Sequence, residues 1–162
     1  MALVDYFLKI DGIEGESQDA KHKSEIEIES FSWGENQGGT AGRGGGMGAG
    51  KVQMQDFHFT MAANKASPKL MLVCANGSHI KNAILTCRKA GKDQQDYIKW
   101  TFTDLLVSSF QTGGAAASSV LPTDQVSLNF SKIEFEYKEQ KPDGSLAGPI
   151  KVKYDIKEMQ GG

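Results

Sequence analysis

The sequence predicts a mainly β protein, a two-sheet β-barrel with one short α-helix and a long Gly-rich hairpin extension. Segments of alternating apolar and polar residues recur along the chain, turn-forming residues separate them, and only one segment has the start and stop signals of a helix. About seven strands at this length are typical of a sandwich or barrel. We therefore expect residues 1–162 to form a single domain.

The strands are expected in a simple order. Val4, Tyr6, Leu8 and Ile10 alternate with other residues in the first strand, and Asp11-Gly12 ends it. The two arms of the hairpin follow, at residues 25–33 and 51–61. After them, four more segments have strand patterning, with turn-rich stretches between them: residues 80–90, 97–111, 124–138 and 149–157.

The helix is predicted over residues 67–77. Ser67 suits the N-cap, Pro68 suits the first helical position, and Asn76-Gly77 suits a left-handed exit. The apolar residues have the i, i+3, i+4 spacing of a helix that packs on a core: Leu70, Val73 and Cys74. We expect this helix to cover the end or the side of the barrel.

Residues 38–50 contain eight glycines in thirteen positions. Such a segment could be a phosphate-binding loop, a linker between domains, or the tip of a hairpin. Gly45, Gly50 and Lys51 fit G-x-x-x-x-G-K, but Val52 takes the place of the Ser or Thr that binds magnesium, and a strand pattern follows where a helix should. The context therefore favours the hairpin tip.

Charge and hydropathy exclude several classes of function. The net charge is −2 and no basic stripe is present, so we expect no nucleic-acid binding. No stretch approaches the ~18 apolar residues of a membrane helix, so we expect no membrane insertion. Residues 1–6 lack a basic region followed by an apolar one, which predicts cytoplasmic synthesis without a signal peptide.

Residues that could support catalysis are scattered. His22, His58 and His79 do not have metal-ligand spacing, and Cys74 and Cys87 form no zinc or redox motif, so free thiols are expected. No G-x-S-x-G motif occurs. The sequence therefore predicts no enzyme activity, no metal and no cofactor.

Partway along each hairpin arm, the apolar residues move from one face of the strand to the other. Pairing Trp33 with Val52 and Phe31 with Met54 would make the two changes coincide. Two interpretations are open: matched bulges that keep one face buried, or a ribbon whose distal half buries its other face against another subunit. Similar changes within residues 100–107 and 128–137 suggest outer faces that pack on other chains.

A set of short motifs extends over nearly the whole chain: Phe7-Leu8-Lys9-Ile10, Gly15-Glu16-Ser17, Ser32-Trp33-Gly34, Gly50-Lys51-Val52, Ser67-Pro68-Lys69-Leu70-Met71, Arg88-Lys89-Ala90-Gly91, Leu106-Val107-Ser108-Ser109 and Val126-Ser127-Leu128-Asn129-Phe130. With these motifs in this order and spacing, the chain resembles the haemolysin-coregulated protein (Hcp) family, the tube proteins of type VI secretion. No single motif is diagnostic, and the family assignment depends on the whole set.

The resemblance implies a ring-forming barrel. Six copies would close into a homohexamer, and stacked rings would form a hollow tube. In a Gram-negative bacterium, contractile sheath proteins would expel this tube behind a spike protein, with small effector proteins inside its channel. Two alternatives are a phage-type tail tube subunit and a monomeric barrel that binds carbohydrate or lipid.

Two sets of residues are candidates for this assembly. For ring stacking or subunit contact we expect residues of the hairpin, namely Arg43, Met47, Lys51, Val52 and Met54. For the channel lining and cargo contact we expect Ser30 and Ser32, because they project opposite to Phe31 and Trp33 on the same strand.

Overall fold

The structure, a computed structural model, describes residues 4–39, 49–89, 94–117 and 120–162. Its elements are, in chain order: β1 (Val4–Ile10), β2 (Ile26–Glu27), β3 (Ser30–Ser32), β4 (Glu35–Gly39), β5 (Ala49–Met54), β6 (Phe57–Ala62), α1 (Ser67–Asn76), β7 (Ile80–Lys89), β8 (Gln95–Gly113), β9 (Thr123–Tyr137), β10 (Ile150–Asp155) and β11 (Gln160–Gly161). The mainly β class, the single short helix and the four long C-terminal strand segments are confirmed. None of the helices in the described ranges is long and apolar enough to span a membrane.

Nine strands form one antiparallel sheet that wraps around a common core, and β4 and β5 form a separate two-stranded sheet. The main sheet has the order β11-β10-β9-β8-β7-β1-β2, with β6 and β3 added to the free side of β9. The segment between β2 and β3 links β1 to β6. The Ile28 N–H donates a hydrogen bond to the Tyr6 carbonyl oxygen, and the Glu29 N–H donates one to the Thr60 carbonyl oxygen. No continuous strand ladder closes the barrel among the described residues.

The core is built from the inward faces of these strands. Its largest fully buried side chains include Phe57, Phe59, Phe102, Leu85 and Leu128. The rings of Phe57 and Phe102 lie 4.6 Å apart in a tilted arrangement. Alternation along β6 produces this packing, since every second residue from Phe57 to Met61 is buried.

The helix begins one residue earlier than the capping pattern suggests. Ala66 is the N-cap and makes no side-chain capping bond, while Ser67 lies inside the helix and donates a hydrogen bond of 2.5 Å to the buried Asp124. The predicted N-cap role of Ser67 is therefore wrong. The left-handed exit at Gly77, with φ +64°, is confirmed. Leu70 is the buried anchor of the apolar face.

The phase change in β8 and β9 does not expose a second apolar face. Asp104 has φ +52°, and this left-handed residue rotates the strand so that Phe102 and Leu105 are both buried. Their partners across the ladder, Ile133 and Phe130, are buried in the same core. The expectation that these residues pack on other chains is wrong, because the two strands bend together.

The hairpin register also differs from the expected one. Phe31 pairs with Phe59 and not with Met54, while Glu35 pairs with Met54. The reason is that Ile26 pairs with β1, so the first arm joins the second only from Glu29 onward. The register of the β3–β6 pairing differs by one residue from that of the β4–β5 pairing, as it does across a β-bulge. Phe31, Trp33 and Met54 all pack on the common core. These facts favour matched bulges.

Candidate assembly surfaces

The β4–β5 hairpin is the first candidate surface, because these strands pair only with each other among the described residues. Lys51 is exposed, and Val52 is half-buried without belonging to the core cluster. Met54 differs from them, since it packs against the core of its own chain. Arg43 and Met47 lie outside the described residues.

A polar band on the outer face of the sheet is the second candidate surface. Ser30 and Ser32 are exposed, as expected, and face away from the core. Ser30 and Thr60 share a hydrogen bond of 2.5 Å between their hydroxyl groups. Ser32 lies opposite His58, whose Nδ1 is 3.0 Å from the Ser127 hydroxyl. Side chains opposite one another share a face, so the band crosses β3, β6 and β9.

Sequence reasoning missed the part of this band around Asp56. Asp56 accepts hydrogen bonds from the Ser108 hydroxyl at 2.6 Å and from the Asn129 amide at 2.9 Å. These residues come from β8, β9 and the break between β5 and β6, which are far apart in sequence. The band as a whole contains Ser30, Ser32, Asp56, His58, Thr60, Ser108, Ser127 and Asn129. It offers short hydroxyl and amide groups, and Asp56 is its only carboxylate.

A buried charge cluster holds the 11–25 loop to the barrel. Arg88 lies 2.8 Å from Asp19 and 3.1 Å from Asp5, and its guanidinium stands 4.7 Å from the centre of the Phe7 ring. Burial by itself would raise the pKa of Asp19, but the Arg88 hydrogen bond and charge, together with backbone N–H bonds, outweigh it and lower the pKa. The cluster is a structural clamp between β1, the loop and β7.

His22, in the loop between β1 and β2, is buried beside this cluster. Its ring stacks on Phe7 at 4.4 Å, and its nitrogens lie 2.9 Å from Glu25 and 3.2 Å from Asp96. This is a core histidine with satisfied hydrogen bonds. Among the residues that the structure describes, no three His, Cys, Asp or Glu side chains are grouped to hold a metal ion.

The family model described as "Type VI secretion system effector, Hcp" matches residues 7–137. The chain belongs to the Hcp family of type VI secretion. The matched range contains the hairpin, the helix and most of the barrel, including every residue of the polar band.

Two solved structures and one curated protein illustrate the relationship. Hcp1 of Pseudomonas aeruginosa is 43% identical over 157 residues, which cover 96% of both chains. Hcp1 of Salmonella typhimurium is 36% identical, with a TM-score of 0.82 over 99% of this chain and 100% of the other. A structure described as a type six secretion system protein is 28% identical, with a TM-score of 0.93 over 98% and 99%.

Membership of the Hcp family gives the general function. Hcp proteins are secreted structural proteins of the type VI system, and their ring and tube assembly agrees with a homo-oligomer. The recognition of the family from sequence motifs is therefore confirmed.

Proposed function

We propose that the chain is the tube subunit, six copies of which close into a ring whose stacks form a hollow tube. Sheath proteins would expel this tube with a spike protein at its tip, and small effectors would travel in the channel. The observation that supports this most is the family match over residues 7–137, which includes both candidate surfaces. A ring needs a contact that closes, and stacking needs a second contact that repeats.

Electron microscopy of the negatively stained protein, together with native mass spectrometry, tests this proposal. We expect hollow rings with six-fold symmetry and a mass of six subunits. Monomers alone, at a concentration where the protein is folded by circular dichroism, would contradict the tube function and favour a ligand-binding barrel.

The β4–β5 hairpin is the proposed contact between rings. We assign this contact to Arg43, Met47, Lys51, Val52 and Met54, with Val52 as the clearest test because Met54 also packs on the core of its own chain. Val52→Ser should shorten stacks of rings while leaving single rings and the melting temperature unchanged. Leu72→Ser, on the exposed side of α1, is the matched control. Equal stacking by both variants would contradict this assignment.

The polar band is the proposed channel lining, with Ser30 and Ser32 in contact with cargo. The short hydroxyl side chains of Ser30 and Ser32 leave the channel wide and bind cargo weakly enough to release it. Ser32→Tyr should reduce the amount of effector that copurifies with intact rings, whereas Ala75→Tyr on the exposed side of α1 should not. Unchanged copurification in Ser32→Tyr rings would argue against the channel role.

We also propose cytoplasmic synthesis and export by the type VI apparatus, without catalysis, a cofactor, nucleic-acid binding or membrane insertion. We expect to find the protein in the culture medium of the parent strain and not in the medium of a strain without the sheath. Secretion that persists without the sheath would point to another export pathway.

A further inference from the structure

A polar pocket of about 280 Å³ lies on the face of the main sheet that points away from the core. Its floor crosses three strands, because Thr86 of β7 pairs with Lys99 of β8, and Lys99 pairs with Glu136 of β9. Directly opposed residues share a face of the sheet. The 11–25 loop forms its wall. The pocket is slightly smaller than sites that take drug-sized ligands, so its size suits a small ion or group.

Three lysines of the pocket make no ion pair with any described residue. Lys9 lies on β1, Lys21 in the 11–25 loop and Lys99 on β8, and all three are exposed to solvent at the pocket. Ammonium groups that line one cavity repel one another. A bound anion would replace this repulsion with attraction.

The carboxylates of the same pocket are already held by other partners. Glu25 Oε2 lies 2.9 Å from His22 Nδ1, and Asp96 Oδ1 lies 3.2 Å from His22 Nε2. His22 is only 7% exposed, so it holds these two carboxylates from a fixed position. Glu136 Oε1 lies 4.0 Å from Lys138 Nζ. None of these carboxylates neutralises the three unpaired lysines.

Thr86 adds an uncharged donor at the floor of the pocket. It is 6% exposed, and its hydroxyl makes no hydrogen bond with a described residue. The hydroxyl oxygen is not fully enclosed, so it opens to the pocket that Thr86 lines. Polar groups of buried residues usually have a hydrogen-bond partner, and this hydroxyl is left with a proton to donate to a ligand.

These four donors match a phosphate group better than a carboxylate. The three ammonium groups and the hydroxyl come from β1, the 11–25 loop, β8 and β7, so they approach the pocket from different sides. A phosphate group has at least three terminal oxygens that accept hydrogen bonds, whereas a carboxylate has two. Lysine is a common phosphate ligand in proteins and acts as a point charge. The number of donors and their charge therefore favour a phosphate-bearing anion.

We propose that this pocket binds a phosphate group: Lys9, Lys21 and Lys99 bind its charged oxygens, and Thr86 donates a hydrogen bond to it. The site goes beyond the proposed tube function, and it includes no residue of the polar band or of the β4–β5 hairpin. Its chemistry is the same for inorganic phosphate, diphosphate and a phosphate monoester, so the experiment compares these three sources.

Isothermal titration calorimetry of the full chain tests the proposal, in a phosphate-free buffer of low ionic strength. The titrants are sodium phosphate, sodium diphosphate and glucose 6-phosphate, with sodium succinate as a dianion that carries only carboxylates. We expect saturable binding of a phosphate at one site per chain and weaker binding of succinate. Tighter binding of glucose 6-phosphate than of inorganic phosphate would identify a monoester as the source. No saturation by any of the three phosphates at about 1 mM would overturn the proposal.

The lysines are tested by Lys9→Met/Lys99→Met, which removes two ammonium groups and keeps side chains of similar length. We expect the dissociation constant to rise at least about tenfold, because hydrogen bonds to charged groups are among the stronger ones. Lys81→Met/Lys141→Met is the matched control. It removes the same charge from two exposed lysines outside the pocket, which also make no ion pair with a described residue. Equal weakening in both variants would show that net charge alone attracts the anion, and would overturn the site.

The hydroxyl at position 86 distinguishes a specific site from a diffuse attraction. Thr86→Val keeps the shape of the side chain without the donor and should weaken binding about threefold or more, whereas Thr86→Ser should retain it. Melting temperatures without ligand show whether the variants are folded. Binding by folded Thr86→Val that equals wild type would overturn the assignment of the hydroxyl.

Ring assembly is measured on the same samples by native mass spectrometry. Wild-type rings that bind no phosphate would overturn this inference and leave the tube function intact. Phosphate binding by a protein that forms no rings would support the pocket and contradict the tube function.

Discussion

The ammonium group of Lys157 lies 2.9 Å from Asp104 Oδ2, and this contact joins the bend in β8 to the segment after β10. The same carboxylate accepts a hydrogen bond from the Ser131 hydroxyl at 3.3 Å and lies 3.2 Å from His79 Nδ1. Asp104 is also the residue with φ +52° at which β8 turns its apolar side chains inward. One residue thus sets the bend and holds the C-terminal segment against it.

The first prediction concerns acid stability. The hydrogen bond from Lys157, followed by the contact with His79, lowers the pKa of Asp104 from its ordinary value of 3.8 to about 2. A lowered pKa stabilises the folded state above pH 3.8, and this stabilisation is lost as the pH falls from 3.8 toward 2. In the variant Asp104→Asn, the asparagine tolerates the left-handed backbone conformation but carries no charge. We expect its melting temperature to lie below wild type at pH 7 and to converge with it near pH 2.

The second prediction concerns Gly15. A Cβ atom at this position would lie 2.5 Å from the Glu25 carbonyl oxygen, a backbone atom that cannot move aside cheaply. Gly15→Ala should therefore push the backbone at residue 15 away from the 24–26 segment. We expect the free energy of unfolding, measured by urea denaturation, to fall by about 1–3 kcal/mol. Gly148→Ala is the control, because a Cβ there would meet nothing within 4 Å. Similar losses in both variants would contradict the steric explanation.

The third prediction concerns the aromatic core. Phe57 is 1% exposed and lies against Phe31, Phe59 and Phe102. Phe57→Ala should leave a cavity and lower the free energy of unfolding by about 3–5 kcal/mol. Leu72→Ala, on the open side of α1, should change it by less than about 0.5 kcal/mol. Chemical denaturation of both variants measures the difference, and a small loss in Phe57→Ala would show that this part of the core is loosely packed.

The fourth prediction concerns the two free thiols. Burial raises the pKa of Cys87 from 9.0 to about 12, so its reactive thiolate is scarce in the folded protein, whereas Cys74 is only partly buried. A thiol reagent at pH 8 should modify one cysteine per native chain and two after denaturation. Cys74→Ser should abolish the native reaction and Cys87→Ser should leave it. Fast native labelling of Cys87 would indicate that β7 opens locally.

The sequence by itself determined the elements and the family. Turn residues and alternation placed the long strands β7 to β10, because these signals act between near neighbours in the chain. The same holds for the left-handed exit of α1 at Gly77. The predicted helix start was wrong by one residue, since Ser67 bonds to Asp124, a residue from a distant strand, and leaves Ala66 as the N-cap.

Only the tertiary structure decided what the phase changes mean. An apolar spacing of three residues fits either a second buried face or a local bend, and the φ of Asp104 resolves this in favour of the bend. The hairpin register depended on β1, which takes Ile26 as its partner before the two arms can pair. Such competition between distant strands leaves no trace in the local pattern.

The candidate surfaces show the same division. The sequence indicated that Ser30 and Ser32 face outward, because neighbouring side chains of a strand alternate. The polar band with Asp56 and Asn129 appears only when strands far apart in the chain lie side by side. Local side-chain direction follows from backbone geometry that each segment carries, whereas a surface shared by several strands depends on how the whole sheet is ordered.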